Sequence, residues 1–130
     1  MRAKLILCQD FADHDDKGGV TLLRAGIHTF EIDRDAPTTT VGVVVFLQAD
    51  AEDAGTYQTE LRCINADGQQ VAEPQIGTLE VGGPGIFNMA LRLAMEARRP
   101  TLGAFVFRLN GEEVDRWPVE FVDTPPQQST

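Results

Sequence analysis

Apolar and polar residues alternate along most of the chain, and this two-residue period predicts β-strands. Within residues 56–64, Tyr57, Leu61 and Cys63 fall on one face of a strand, while amide and charged side chains fall on the other. Residues 41–47 are instead almost continuously apolar. Such a run predicts a central strand that is buried on both faces.

Turn signals divide the chain into short strands. The Asn-Gly pair at 110–111 predicts a hairpin between strands at 103–109 and 112–122, and a Gly-Gly pair predicts another between 3–13 and 19–32. Each of these strands has one apolar face to bury against a second sheet. The sequence therefore predicts an all-β fold, an antiparallel β-sandwich of about eight to nine strands of immunoglobulin-like, Greek-key type.

Residues 86–98 fit two periods. Ile86, Met89 and Leu93 recur at helical spacing, but the odd-numbered residues from 87 to 95 are also apolar, as in a strand. The all-β surroundings favour a strand to about Leu93, followed by one helical turn.

The composition limits the classes of function that the protein can have. The 20 acidic and 11 basic residues give a formal charge of −9, which opposes nucleic acid or an anionic membrane as a partner. The only serine is Ser129, so a serine hydrolase is excluded.

We expect one domain at 1–123 and a disordered polar tail at 124–130. The apolar run near the start is too short for a signal peptide, and no window resembles a membrane helix, so we expect a cytoplasmic protein.

Aspartates around the first predicted hairpin are the candidate metal ligands. Asp13, Asp15 and Asp16 lie there, with His14 among them. Calcium takes roughly six to eight oxygen ligands, which loops of a sandwich can supply. The spacing does not fit an EF-hand loop, and a solvated acidic turn is the simpler interpretation. Apart from calcium, we expect no cofactor.

The two cysteines, Cys8 and Cys63, are the candidate nucleophiles, with His14 or His28 as the base. Both cysteines lie in apolar strand patterns, which favours buried, reduced thiols. Two cysteines are also too few for a secreted disulfide scaffold.

The last predicted strand contains Trp117 followed by Pro118. Because proline cannot donate a ladder hydrogen bond, we expect a sheet edge there. Tryptophan is enriched in interface hot spots, so Trp117 and its neighbour Arg116 are candidate partner-binding residues. The alternative is that Trp117 is the large core residue of the sandwich.

Two segments share a pattern of apolar strand, polar corner, Gly-x-aromatic and strand. The first contains Gly55 and Tyr57, and the second contains Gly103 and Phe105. The first resembles the corner motif of immunoglobulin-like domains, in which the tyrosine hydroxyl bonds to the corner backbone. That family has a cysteine two residues after the tyrosine. Here the residue is Thr59, so the family's disulfide is not carried over, and packing alone must hold the second corner.

Residues 3–122 as a whole resemble a family of short bacterial proteins that is known only as a domain of unknown function. The resemblance rests on Leu5–Asp10 ahead of the Gly-Gly pair, on the Gly55 corner, on the turn at Asp67-Gly68 and on the closing segment Gly103–Glu112. It implies a β-sandwich and no established activity.

The leading functional prediction is a non-enzymatic β-sandwich that binds another protein or itself, as an interaction or structural module. The alternative is a sandwich that binds calcium or a small ligand through its aspartate-rich loops. An enzyme with a cysteine nucleophile comes third.

Overall fold

The structure, a computed structural model, describes residues 1–12, 19–32, 35 and 38–123. An all-β fold is confirmed, and none of the described residues belongs to a helix long and apolar enough to cross a membrane. A short 3-10 helix covers Ala51–Asp53. The strands are β1 Arg2–Cys8, β2 Asp10–Ala12, β3 Thr21–Leu23, β4 Thr29–Ile32, β5 Thr38–Ala49, β6 Gly55–Asn65, β7 Gln75–Val81, β8 Gly85–Glu96, β9 Thr101–Leu109 and β10 Glu112–Asp123.

Two sheets form the sandwich. One has the strand order β1-β5-β8, and the other has the order β4-β10-β9-β6-β7. The chain crosses between these two sheets after β4, β5, β7 and β8, which is Greek-key connectivity. The strand pairs are antiparallel except that β4 pairs with β10 in parallel, which makes the five-stranded sheet mixed at this edge. No hairpin links these two strands, and their relative direction is therefore not restricted to antiparallel.

The main core lies between the two sheets. Its fully buried side chains come from strands of both sheets and include Leu5, Leu7, Leu47, Leu61, Phe105 and Phe107. Burying a large apolar side chain stabilises the folded state by roughly 1.5–3 kcal/mol. This core is therefore what holds the sheets face to face.

The central strand β5 is buried on both faces, as its sequence predicts. Val43 and Val45 face the main core, whereas Val44 faces away from it and packs with Cys8 and Phe11 in a second, smaller cluster. The antiparallel β2–β3 hairpin supplies Phe11 to that cluster. A β-sheet face that would otherwise meet water is thus covered by the hairpin.

Gly42 lets Cys8, at the end of β1, and Phe11 of the hairpin approach β5 closely. A Cβ at this position would lie 2.8 Å from Sγ of Cys8 and 3.1 Å from a ring carbon of Phe11. On the other side of the cluster, the Arg92 guanidinium lies 4.2 Å from the centre of the Phe11 ring, and its Nε donates to Asp10 at 2.7 Å. These contacts fasten the hairpin to β8.

The two N-terminal predicted strands are each interrupted, which gives ten strands in the described residues instead of eight to nine. The run at 3–13 divides into β1 and β2, and the run at 19–32 divides into β3 and β4. In the second run, Arg24 and Gly26 have φ values of 52° and 90°, which turn the chain out of the strand. This turn carries the chain to the edge of the five-stranded sheet.

The helical turn predicted after Leu93 is wrong. β8 continues to Glu96, which is paired with Thr38 of β5. Its odd-numbered side chains from Phe87 to Met95 all contact the main core. Pairing along the whole of β5 therefore determines the conformation of this segment.

Candidate partner-binding site

The candidate site lies where β10 has a paired strand on one side only. β9 pairs with β10 as far as Phe121, but β4 pairs only with Glu120–Asp123. At Trp117 and Pro118, the described chain therefore places a strand on one side of β10 only. This is the local edge that the proline predicts.

A shallow groove of about 440 Å³ follows this edge, lined by His28, Leu102, Trp117, Pro118, Val119 and Glu120. Leu102 is 63% exposed, although the later part of its strand, from Ala104 to Leu109, is largely buried. Pro118, on the adjacent strand, is also exposed. Apolar side chains that are exposed together, instead of singly, are typical of an interaction surface.

Trp117 combines the two roles that its sequence context suggests. Its side chain packs, partly buried, against the main core, and its Nε1 donates a hydrogen bond of 3.0 Å to the carbonyl of Ile27. The same side chain lines the groove. The indole is therefore held in one orientation before any partner arrives.

Arg116 lies outside the groove lining. Its Nη2 donates to Oε1 of Glu113 at 2.8 Å, and this hydrogen bond holds the pKa of the Glu113 carboxyl below its ordinary value. The guanidinium is therefore already paired with a carboxylate three residues away on its own strand. The structure brings Trp117, but not Arg116, into the candidate site.

Arginine side chains cover the middle of the outer face of the five-stranded sheet. Arg62, Val106 and Arg116 are direct neighbours across three strands, and Val106 is only 1% exposed. We attribute this burial to the aliphatic stems of the arginines. Arg108 and Arg62 both pair with Glu60 on the same face. The apolar groove thus borders a region of charges that are paired with one another.

Neither Leu102 nor His28 is predicted from the sequence to line a binding site. Leu102 lies one position before the predicted strand 103–109, on the face opposite to Phe105 and Phe107, and nothing else in the local sequence distinguishes it. His28 reaches the groove because its carbonyl accepts a hydrogen bond of 2.8 Å from the amide of Glu120, a residue distant in the sequence.

The first Gly-x-aromatic segment forms a tyrosine corner. Gly55 begins β6 with a φ of 151°, and the hydroxyl of Tyr57 donates a hydrogen bond of 2.6 Å to the carbonyl of Asp53. This is the interaction that defines the motif in immunoglobulin-like domains.

The second segment contains no corner, which corrects the prediction for Gly103 and Phe105. Gly103 lies inside β9, where it pairs with Asn65 and Val119. A Cβ there would lie 2.6 Å from the carbonyl oxygen of Ile64, so close approach of two backbones, and not a turn, requires the glycine. Phe105 is a fully buried core residue.

Both candidate nucleophiles are buried, free thiols. Burial raises the pKa of Cys63 to about 12, and burial also raises the pKa of Cys8. Since the thiolate is the reactive form, neither residue has the environment that a nucleophile needs. The burial of both thiols does not favour an activated cysteine, which stays a prediction.

The aspartates proposed as calcium ligands, Asp13, Asp15 and Asp16, lie outside the described residues. In the part of the chain that the structure describes, no group of three or more His, Cys, Asp or Glu side chains could hold a metal ion. The neighbouring Asp10 is paired with Arg92, and this hydrogen bond holds the pKa of its carboxyl below the ordinary value. Calcium binding stays a prediction, as does the disordered tail at 124–130, which also lies outside the described residues.

A larger depression, of about 910 Å³, lies between the segments 65–73 and 94–101. Its lining mixes amide, acidic and basic side chains. Glu96 pairs with Arg98, and Asn65 bonds to Gln69. The exposed apolar residues that line it are Ala94 and Pro100, and it has no large exposed apolar side chain comparable to Leu102. It is therefore less suited than the groove to bind a protein segment.

Comparison with known proteins supports the fold. No family model matches the chain, and no curated protein matches it. A solved structure with a similar fold is that of a glycosyl hydrolase family 2 member from Bacteroides cellulosilyticus DSM 14838, with a TM-score of 0.52 and 17% sequence identity. The match covers 72% of this chain and 13% of that protein. This chain therefore resembles a small part of the larger enzyme, and the likeness shows a β-sandwich fold alone.

Proposed function

We propose that this protein is a non-enzymatic β-sandwich module that binds another protein through the groove beside Trp117. The observation that carries the proposal is the exposure of Leu102 in a groove completed by Pro118 and Trp117. Fully burying an exposed leucine side chain stabilises by roughly 1.5–3 kcal/mol, and a partner that covers the exposed part of Leu102 would gain a share of this free energy. Both thiols are buried, and burial raises their pKa, which supports a role that does not use a cysteine nucleophile.

The groove is organised in advance of binding. The hydrogen bond from Trp117 to Ile27 fixes the indole, and Pro118 and Leu102 stand on paired strands. A surface that needs no rearrangement loses less conformational entropy when it binds. This favours docking of a short extended segment onto the rigid edge of the sheet.

The partner segment that fits best carries an apolar anchor next to a basic residue. Glu120 is exposed in the groove, and Glu31 is exposed on the adjacent strand β4. The formal charge of the whole chain is −9. A cation beside the anchor would therefore meet a complementary field, which favours association and selects against acidic segments.

Selection of displayed random peptides against the full chain tests this proposal. The enriched peptides should share an apolar residue next to Lys or Arg, and Leu102→Glu should weaken their binding by at least about tenfold. The matched control is Ile76→Glu, because Ile76 is 62% exposed on another strand of the same sheet. Both variants should melt at the temperature of the native protein.

Two results would overturn the proposal. One is the failure of any peptide to be enriched over a blank surface. The other is enrichment of peptides whose binding is weakened equally by Leu102→Glu and Ile76→Glu, since the interaction would then depend on charge or on a different surface.

A further inference from the structure

The outer face of the three-stranded sheet is only partly covered by the β2–β3 hairpin. The hairpin packs on Val44 through Phe11. Beyond this cluster, the cross-strand row formed by Arg2, Gln48 and Ile86 lies on the same face of β1, β5 and β8. All three residues of the row are exposed. This end of the face is therefore accessible to a partner.

Ile86 is the most prominent apolar side chain on this face. It is 78% exposed, more than any other large apolar residue of the described chain. Phe46, two residues before Gln48 on β5, is half-buried and adds apolar surface diagonal to Ile86. A partner that covers Ile86 would gain part of the free energy of burying it.

Two cations stand beside this apolar surface. Arg2 donates a hydrogen bond of 3.1 Å to the amide oxygen of Gln48, and Lys4 is exposed on the same strand. In the part of the chain that the structure describes, neither cation has a carboxylate partner. Five arginines do have one: Arg62, Arg92, Arg98, Arg108 and Arg116. This face therefore carries uncompensated positive charge, although the chain as a whole has a formal charge of −9.

The groove presents the opposite charge beside its apolar residue. Glu120 is the direct cross-strand partner of Leu102, and Glu31 lies one strand further along the sheet, on β4. Neither glutamate belongs to an ion pair among the described residues. Glu31 is two strands from Leu102, and Lys4 is likewise two strands from Ile86. Because neighbouring strands lie about 4.8 Å apart, both separations are roughly 10 Å across the sheet.

We propose that the groove beside Trp117 receives Ile86 of a second copy of this chain. In this contact Ile86 covers Leu102, and Lys4 of the same copy faces Glu31. The second copy thus supplies an apolar anchor next to a basic residue, the combination that the groove favours. The inference rests on the proposed function, because it names the partner of the same groove.

The two surfaces lie on opposite faces of the sandwich. Leu102 is on the same side of β9 as Val106, on the outer face of the five-stranded sheet, whereas Ile86 is on the outer face of the three-stranded sheet. A copy therefore uses its two surfaces with two different partners. Such a head-to-tail contact leaves one groove and one Ile86 surface free, so assembly continues beyond two copies.

Sedimentation velocity of the full chain at concentrations up to about 1 mM is the first test. The native protein should form assemblies of two, three and more chains, and their share should grow with concentration. Leu102→Glu and Ile86→Glu should each weaken assembly at least about tenfold. Ile76→Glu adds the same charge at another exposed apolar residue and should assemble like the native protein. All three variants should melt at the native temperature, since the substituted side chains are exposed.

Mixing two variants tests the head-to-tail arrangement. Leu102→Glu keeps the Ile86 surface, and Ile86→Glu keeps the groove. An equimolar mixture should therefore form complexes of two chains and no larger ones. Variants that stay single chains when mixed, variants that each assemble like the native protein, or a native assembly that stops at two chains would overturn the proposal.

Charge reversal tests the ionic part of the contact. Lys4→Glu should weaken assembly about fivefold, because it places a third carboxylate near Glu31 and Glu120. Adding Glu120→Lys to this variant should recover part of the loss. The matched control is Arg99→Glu, which changes the net charge equally at an exposed arginine outside both surfaces. Equal weakening by Lys4→Glu and Arg99→Glu would reflect net charge alone and would contradict the contact.

Peptide competition separates this inference from the proposed function. Peptides selected for the groove should dissolve the native assemblies, because they occupy the site that receives Ile86. If such peptides bind and the native protein stays a single chain at about 1 mM, the inference is wrong and the proposed function stands. Peptides that bind the groove without dissolving the assemblies would place the contact between copies elsewhere.

Discussion

The backbone amide of Leu5, in β1, donates a hydrogen bond of 2.7 Å to Oδ2 of Asp115, in β10. A side chain of the five-stranded sheet thereby accepts a hydrogen bond from a backbone N–H on the edge strand of the three-stranded sheet. Leu5 itself is fully buried, so its amide has little access to water as an alternative partner.

Asp115→Ala should therefore lower the free energy of unfolding by roughly 1–3 kcal/mol, the cost of leaving a buried donor without a partner. Asp115→Asn is the control, because it retains an acceptor oxygen and should lose less. Urea denaturation of the three proteins gives the comparison. Equal stability of the alanine variant and the native protein would show that water replaces the carboxylate.

Tyr57→Phe should lower the free energy of unfolding by about 0.5–1.5 kcal/mol, because it removes only the hydroxyl that donates to Asp53. Tyr57→Leu should cost more, since it also removes the packing of the ring. Thermal melting of both variants measures the difference. A phenylalanine variant as stable as the native protein would mean that the corner is held by packing.

Gly42→Ala should be destabilising by about 1–3 kcal/mol, because its methyl group would lie 2.8 Å from Sγ of Cys8. In a Cys8→Ala background the same substitution should cost less, since the sulfur is gone. A double-mutant cycle measures this coupling. Additive losses would show that the contact with Phe11, or the strand itself, is the source of the cost.

The ion pair between Asp10 and Arg92 should contribute to the decrease in the free energy of unfolding at acidic pH. The hydrogen bond from Arg92 lowers the pKa of Asp10 in the folded protein. The ionised Asp10 carboxyl therefore stabilises the folded state at pH values above its unfolded pKa of about 3.9. This stabilisation is lost as the pH falls through the lower pKa of the folded state. Asp10→Asn and Arg92→Gln should each lose less stability than the native protein on acidification to pH about 2. Denaturant unfolding at a series of pH values measures the slopes, and identical slopes would contradict this assignment.

The thiols should be unreactive in the folded protein. Because burial raises the pKa of Cys63 to about 12 and also raises that of Cys8, a thiolate-specific reagent at pH about 8 should label neither residue. In denaturant, both should react. Rapid labelling of either cysteine under native conditions would show that the β2–β3 hairpin or the core opens readily.

Local patterns were sufficient to predict much of the sandwich. The apolar run at 41–47 predicts the buried strand β5. Asn110 and Gly111, with φ values of 51° and 81°, form the two-residue turn that their types predict. These features depend on side-chain period and on backbone preferences within a few residues, which a single sequence records.

The predictions that failed concern features that depend on residues distant in sequence. Gly103 looks like a turn residue, but its role is set by the backbone of Ile64 on another strand. The groove exists because β4 stops pairing before it reaches Pro118. The period of a strand reveals its buried face, but not where its neighbour along the sheet ends.

The parallel pairing of β4 with β10 has a consequence for the order of synthesis. Phe30 and Phe121 are direct partners with ring centroids 5.9 Å apart, yet about ninety residues separate them in the chain. Contacts between such distant segments slow folding, because a long loop must close before they form. On the ribosome, β4 has no strand to pair with until β10 has been made. The five-stranded sheet can therefore be completed only after residues 120–123 have been made.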